Sequence, residues 1–163
     1  MGAEPRGRAA RAGPGTRAVP AWVLAASGAL SVIALGVASY LTYTHYVDPT
    51  ALACPDTGIV NCTLVTTSSW SRIGGIPVAL LGLVWSVVMV ALCSPWAWRR
   101  DDTRLDLARL VAAGLGAVMV LYLVYAELFG VGAICLWCTA MHVTTVSLFA
   151  VVLGARPALA RTV

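Results

Sequence analysis

Residues 133–153, AICLWCTAMHVTTVSLFAVVL, combine a membrane-length apolar segment with two cysteines that lie three positions apart. Apolar segments of about 20 residues are typical of membrane-spanning helices. The composition of the whole chain agrees, since 60% of its 163 residues are hydrophobic and only 11% are charged. Soluble domains are about 25% charged. The sequence therefore predicts an integral membrane protein with a dithiol at one end of a membrane helix.

Three more apolar segments precede this one in the chain. Because lipid offers the backbone no hydrogen-bond partners, isolated membrane spans form helices. We therefore predict an all-α integral membrane protein, a four-transmembrane-helix bundle capped by an extracytoplasmic loop. Two tails are predicted, a disordered Arg-rich one at 1–20 and a short one at 155–163. The membrane domain between them is predicted at 21–154, with an outer loop at 47–75 and spans at 22–46, 76–96, 107–129 and 134–153.

Arginine is distributed asymmetrically between the predicted connections. Ten of the 11 basic residues lie in the two tails or around the connection between the second and third spans, and only Arg72 lies in the loop 47–75. Basic residues concentrate on the cytoplasmic side of membrane proteins. We therefore predict a multi-pass protein of the plasma (inner) membrane with both termini cytoplasmic. The first span is longer than the apolar region of about 7–15 residues in a signal peptide, which disfavours cleavage.

Four of the five cysteines fall on the predicted outer side, which is the oxidising side. Cys54 and Cys62 lie in the outer loop, and Cys135 and Cys138 open the last span, whereas Cys93 lies near the inner end of the second span as an apolar packing residue. Four cysteines allow three pairings. Their role could be structural disulfides, a metal site or a redox relay. Seven residues separate Cys54 from Cys62, unlike the close ligand pairs of structural zinc sites, so no metal is predicted.

The position of the Cys-x-x-Cys motif favours redox chemistry. A disulfide across so small a loop removes little entropy from the unfolded chain. A cysteine in the first turn of a helix lies near unpaired N–H groups that favour the thiolate, the nucleophile of disulfide exchange. Cys135, Cys138, His142 and Thr145 share one helix face, which is predicted to point into the bundle. Cys138 could then meet a lipid-soluble electron acceptor, while Cys135 could meet a loop cysteine.

Four features together resemble the vitamin K epoxide reductase family, most closely its bacterial branch that forms disulfides. They are Cys-x7-Cys in the first outer loop, the hydroxyl-rich stretch TLVTTSSW at 63–70, GIPVALLGL at 75–83 opening the second span, and Cys-x-x-Cys opening the last span. The resemblance extends over residues 22–153 and implies the four-helix fold.

The resemblance also implies a function and catalytic residues. Cys135 and Cys138 match the active-site pair, and Cys138 would contact the quinone. Cys54 and Cys62 match the shuttle pair, so Cys62 would exchange with Cys135 and Cys54 would meet a partner's thiols. Ser68 matches an active-site hydroxyl of the loop. The implied enzyme is a quinone-dependent thiol-disulfide oxidoreductase. It would pass electrons from a separate thioredoxin-fold (DsbA-like) protein to menaquinone or ubiquinone and so support disulfide formation in exported proteins.

Six residues are candidates for contact with the quinone. His142 stands where vertebrate members have a tyrosine that lines the quinone pocket, and Trp70 follows Ser68 in the expected neighbourhood. Glu127 is the one acidic residue well inside a predicted span, where a charge is costly, so we consider it for proton delivery. Tyr122 lies nearby and belongs either to an interfacial aromatic belt or to the pocket wall. The candidate set is Cys138, His142, Ser68, Trp70, Glu127 and Tyr122.

Two alternatives stay open at this stage. Reduction of a quinone or quinone epoxide, as in the vitamin K cycle, would use the same four cysteines. His142 in place of the vertebrate tyrosine, and the lack of a convincing match for the vertebrate pocket asparagine, argue against the epoxide as substrate. A non-catalytic membrane scaffold that is cross-linked by disulfides would also explain the four outer cysteines.

Overall fold

The protein is described here by a computed structural model that covers residues 17–48, 51–55 and 57–160, with side chains as far as residue 155. Most of the predicted tail at 1–20, and residues 161–163 of the tail at 155–163, lie outside the described residues. In chain order the elements are α1 (Ala21–Val47), α2 (Cys62–Thr67), a 3-10 turn (Ser69–Ser71), β1 (Arg72–Ile73), β2 (Ile76–Pro77), α3 (Val78–Leu92), α4 (Pro95–Arg99), α5 (Thr103–Tyr125), a π-helical turn (Ala126–Val131) and α6 (Leu136–Ala160).

Within the described residues, three helices are long and apolar enough to cross a membrane, which confirms the prediction of a membrane protein. They span Ala21–Val47, Thr103–Val131 and Leu136–Ala155, close to the first, third and fourth predicted spans.

The predicted second span, 76–96, forms a shorter helix than the hydropathy indicates. Helix α3 has 15 residues, which is about 22 Å of helix against a hydrocarbon core of roughly 30 Å. The residues before it, Ile76–Pro77, belong to a two-stranded antiparallel hairpin. After it, Pro95 cannot continue a helix, and Ser94 caps α4 by accepting the N–H of Ala97 at 3.2 Å.

Small side chains let the helices pack closely. Helix α1 packs against α3 and α6, and α5 packs against α6 and α3. The buried face of α1 includes Ser27, Ser31, Ala34 and Ala38, as expected where helix backbones approach each other in a membrane protein. Two of these hydroxyls donate to the preceding helical turn, Ser27 to Val23 O at 2.6 Å and Ser31 to Ser27 O at 2.7 Å. The polar groups of this face are therefore satisfied within α1.

A buried ionic cluster lies at the end of the bundle where α1 begins. The guanidinium of Arg109, whose residue is 1% exposed, stacks on Trp98 at 3.6 Å from the ring centroid and donates to Asp106 at 2.7 Å. Arg17 donates to the other carboxylate oxygen of Asp106 at 2.6 Å and to Trp98 O at 3.0 Å. The carboxylate of Asp106 thus joins the segment before α1 to the start of α5.

Replacing Asp106 by Ala is expected to destabilise the protein. The change leaves the buried charge of Arg109 without its carboxylate partner, and breaking a fully buried pair costs about 3–5 kcal/mol. Because the Asp106 side chain is 36% exposed, we expect a smaller loss, about 2 kcal/mol. Thermal unfolding in detergent measures it, with exposed Asp101→Ala as the control. Equal melting temperatures for the two variants would show that the cluster does not stabilise the fold.

Candidate active site

A short parallel bridge fastens the outer loop to the start of α6. The N–H of Asn61 donates to Ile134 O at 3.1 Å, and the N–H of Ile134 donates to Ile59 O at 2.8 Å. Because the two segments run parallel, the residues that follow, Cys62 and Cys135, leave the bridge at the same end. The loop pair and the Cys-x-x-Cys motif are brought together in this way.

The four cysteines other than Cys93 belong to one packed cluster. Cys54 and Cys62 form a disulfide, while Cys135 and Cys138 are free thiols. Cys62 and Cys135 are 1% and 0% exposed within a single group of buried side chains, and Cys54 and Cys138 pack against that group. Cys93 is buried in a different cluster with Met89, Ala113, Leu148 and Val152, as predicted for an apolar packing residue.

Cys135 lies just before α6, so the prediction that it belongs to the first turn of this helix is wrong. Helix α6 begins at Leu136, and the sulfur of Cys135 accepts the N–H of Cys138 at 3.2 Å. The sulfur thus takes the place of a capping side chain at the start of α6, two residues after the predicted start of the span. The N–H of Cys138 stabilises a thiolate on Cys135, which favours Cys135 as a leaving group in disulfide exchange.

A π-helical turn places Glu127 beside the dithiol. At Ala126 the chain leaves the α-helical geometry of α5, and the turn ends at Gly132, which has a left-handed φ of 71°. Glu127 is 6% exposed. Its carboxyl group interacts with the backbone N–H of Cys135 and with the thiol of Cys138. Such turns occur frequently at functional sites, and here the turn puts a carboxyl group within reach of a thiol.

An elongated cavity of about 540 Å³ opens beside Cys138, enclosed by α1, the outer loop, α3, α5 and α6. Its wall extends along α5 from Glu127 to Leu115, which is 12 residues or roughly 18 Å of helix. The size is typical of small-molecule sites. Five of the six predicted contact residues line it, namely Cys138, His142, Ser68, Trp70 and Glu127.

His142 presents an unsatisfied nitrogen at this cavity. The residue is 7% exposed, and its buried Nε2 has no hydrogen-bond partner among the described residues. Buried polar atoms are nearly always paired, and an unpaired one costs free energy. A ligand oxygen in the cavity would supply the missing partner.

Ser68 and Trp70 are held by the loop itself. The Ser68 hydroxyl donates to Val65 O at 2.8 Å at the end of α2, so it both closes a turn and borders the cavity. The indole of Trp70 lies so close to Gly130 that a Cβ there would come within 2.7 Å of it. Tyr122 does not border the cavity; it lies at the edge of the cavity-facing side of α5, where its ring is 6.3 Å from that of Trp70. The contact of Tyr122 with a quinone stays a prediction, and in the structure its ring neighbours that of Trp70.

Several cavity residues carry no chemical signal in the sequence. Trp85 and Met141 are ordinary apolar residues of membrane helices, and only the predicted polar stripe of α6 pointed to Thr145. His45, at the end of α1, could have been noticed as the only other histidine. The wall residues that we did not predict include Trp85, Met141, Met119, Gly116, His45 and Thr66.

The comparisons with known proteins agree with this geometry. The family model described as "Vitamin K epoxide reductase family" matches residues 25–153, from α1 through most of α6. No curated protein matches the chain. The match includes all four outer cysteines, the π-helical turn and the cavity wall. The chain therefore belongs to the vitamin K epoxide reductase family, whose members are membrane oxidoreductases of thiols and disulfides that use quinones.

Proposed function

We propose that this protein transfers electrons from a separate thioredoxin-fold (DsbA-like) protein to a membrane quinone, menaquinone or ubiquinone, as in the bacterial branch of the family. The partner would then oxidise exported proteins. One observation carries the proposal: two cysteine pairs, one bonded and one reduced, pack in a single cluster beside an elongated cavity.

The proposed topology has four membrane crossings with the active site on the extracytoplasmic side of the plasma membrane. Helix α3 would make the second crossing with help from its flanking residues. Its outward face supports a lipid contact, because Val84, Val87 and Val88 are 57%, 54% and 43% exposed. The arginine distribution supports cytoplasmic termini.

Exchange between the pairs leads to the arrangement seen in the structure. The Cys62 thiolate attacks the Cys135 sulfur of an oxidised Cys135–Cys138 pair, and Cys138 leaves as a thiolate. The Cys54 thiolate then attacks Cys62, and Cys135 leaves. The products are the Cys54–Cys62 disulfide and two reduced active-site cysteines. The partner's thiolate would attack Cys54, since Cys62 is 1% exposed and Cys54 lies nearer the surface.

The second half-reaction takes place at the cavity. A quinone bound there would supply the acceptor for two electrons and for the two protons that the Cys135 and Cys138 thiols lose. Cys138 faces the cavity and, with Cys135, gives up two electrons as their disulfide forms. Glu127, whose carboxyl group interacts with the Cys138 thiol, would accept the proton of that thiol. The unpartnered Nε2 of His142 would hold such a quinone by hydrogen-bonding one of its oxygens, since His142 lines the same cavity as Cys138.

The test is turnover by purified protein in detergent, supplied with quinone and a reduced thioredoxin-fold protein. We expect loss of partner thiols with one quinone reduced for each disulfide formed. The same protein supplied with quinone epoxide and a dithiol tests the vitamin K cycle alternative. No thiol loss with any quinone, and no mixed disulfide with the partner when Cys62→Ser is used as a trap, would favour a scaffold.

A further inference from the structure

Both backbone groups of Ala53, the residue before Cys54, are held by aromatic side chains. The N–H of Ala53 donates to the hydroxyl of Tyr40 at 3.0 Å, and the indole N–H of Trp137 donates to the carbonyl oxygen of Ala53 at 2.9 Å. The two rings contact each other, with centroids 4.6 Å apart. We call Tyr40 and Trp137 the aromatic clamp.

The clamp connects the two cysteine pairs through a residue of the active-site motif. Trp137 lies between Cys135 and Cys138 in the sequence CLWC. The chain around Cys54 is otherwise loosely packed, since Ala51, Ala53 and Pro55 are exposed and only Leu52 is buried. Once the bond between Cys54 and Cys62 opens, these two hydrogen bonds, together with the burial of Leu52, still hold the backbone before Cys54.

We propose that Tyr40 and Trp137 are positioning residues for disulfide exchange, which keep Cys54 beside Cys62 while Cys62 is bonded to Cys135. This inference rests on the proposed function. In the step concerned, the Cys54 thiol loses its proton to water and its thiolate attacks Cys62. The Cys54–Cys62 bond forms, the Cys62–Cys135 bond breaks, and Cys135 leaves with the electron pair, stabilised by the N–H of Cys138. The clamp raises the rate by limiting the positions that Cys54 can take.

Two substitutions remove one hydrogen bond each and leave an aromatic ring at each position: Trp137→Phe and Tyr40→Phe. Matched controls are Trp96→Phe and Tyr43→Phe, at residues that are 62% and 63% exposed. Turnover with partner and quinone is stopped with acid, free thiols are alkylated, and the Cys62–Cys135 peptide is quantified by mass spectrometry without reduction. We expect this mixed disulfide to rise roughly fivefold in each clamp variant, as the loss of one hydrogen bond allows, and to stay at the parent level in the controls.

A second measurement separates positioning from general destabilisation. Quinone reduction by prereduced Cys135 and Cys138 in a single turnover bypasses Cys54, so both clamp variants should match the parent there. Parent levels of mixed disulfide in both variants would overturn the clamp while leaving the proposed function intact. A slower single turnover without a rise in mixed disulfide would also overturn it, because the defect would then lie at the quinone. Failure of the parent itself to oxidise thiols would instead reject the proposed function.

Discussion

Replacing Cys138 by Ala is expected to lower quinone-dependent thiol oxidation by a thousandfold or more, roughly the size of the loss when a catalytic nucleophile is removed. Cys138 is the one described cysteine that borders the cavity, and its thiol interacts with the carboxyl group of Glu127. Cys135 is fully buried and does not border the cavity. No other thiol can therefore reach a bound quinone. The rate is measured from partner thiols consumed and quinone reduced in the same sample.

The control for this substitution is Cys93→Ala. Cys93 is also buried, at 1% exposure, but it belongs to the cluster with Met89 and Leu148. It should keep the parent rate at a temperature where both variants are folded. A Cys138→Ala protein that turned over as fast as the parent would remove the dithiol from the mechanism.

Replacing Glu127 by Gln is expected to slow quinone reduction about a hundredfold at neutral pH. Gln keeps the shape of the side chain but cannot accept the Cys138 proton, and a well-placed general base contributes roughly 10²–10⁴-fold. The deficit should shrink as the pH rises, because hydroxide in solution then removes the thiol proton without help. Single-turnover quinone reduction between pH 6 and about 10 measures this dependence.

Two further measurements distinguish proton transfer from a structural role for Glu127. Glu127→Asp keeps the carboxylate and should recover part of the rate. The disulfide between Cys54 and Cys62 lies outside the cavity wall, so its exchange with a small dithiol should be unchanged in Glu127→Gln. A deficit that stays constant with pH would mean that Glu127 only supports the dithiol sterically.

The membrane helices could largely be predicted from hydropathy. The exception is α3, which is shorter than the span predicted for it. A hydropathy window sums the hydrophobicity of the side chains. It takes no account of the backbone effect of Pro77 and Pro95, which lie on either side of this segment. Each proline lacks the N–H that a helix interior needs, and α3 extends only from Val78 to Leu92 between them. The prolines themselves were visible in the sequence and could have given the shorter bounds.

The candidate site could also be predicted from the sequence only in part. Cysteine spacing and the resemblance to the family pointed to all four cysteines, and five of the six predicted contact residues border the cavity. The π-helical turn depends on how α5 meets the segment before α6, and no local sequence pattern predicts it. The clamp joins Trp137 to Ala53 across 84 positions. Contacts of that kind are set by tertiary packing and cannot be derived from a single sequence.

The position of the two pairs along the chain bears on biosynthesis. Cys54 and Cys62 are eight positions apart, whereas the bridge between Val60 and Ile134 can form only after residue 134 has been synthesised. From Cys62 to Cys135 the ribosome adds 73 residues, which takes roughly 4–15 seconds at about 5–20 residues per second. In the proposed orientation the thiols of Cys54 and Cys62 therefore reach the oxidising compartment before those of Cys135 and Cys138, so within the chain they can form a disulfide only with each other. The order of synthesis from the N-terminus to the C-terminus would thus by itself disfavour non-native disulfides in the nascent protein.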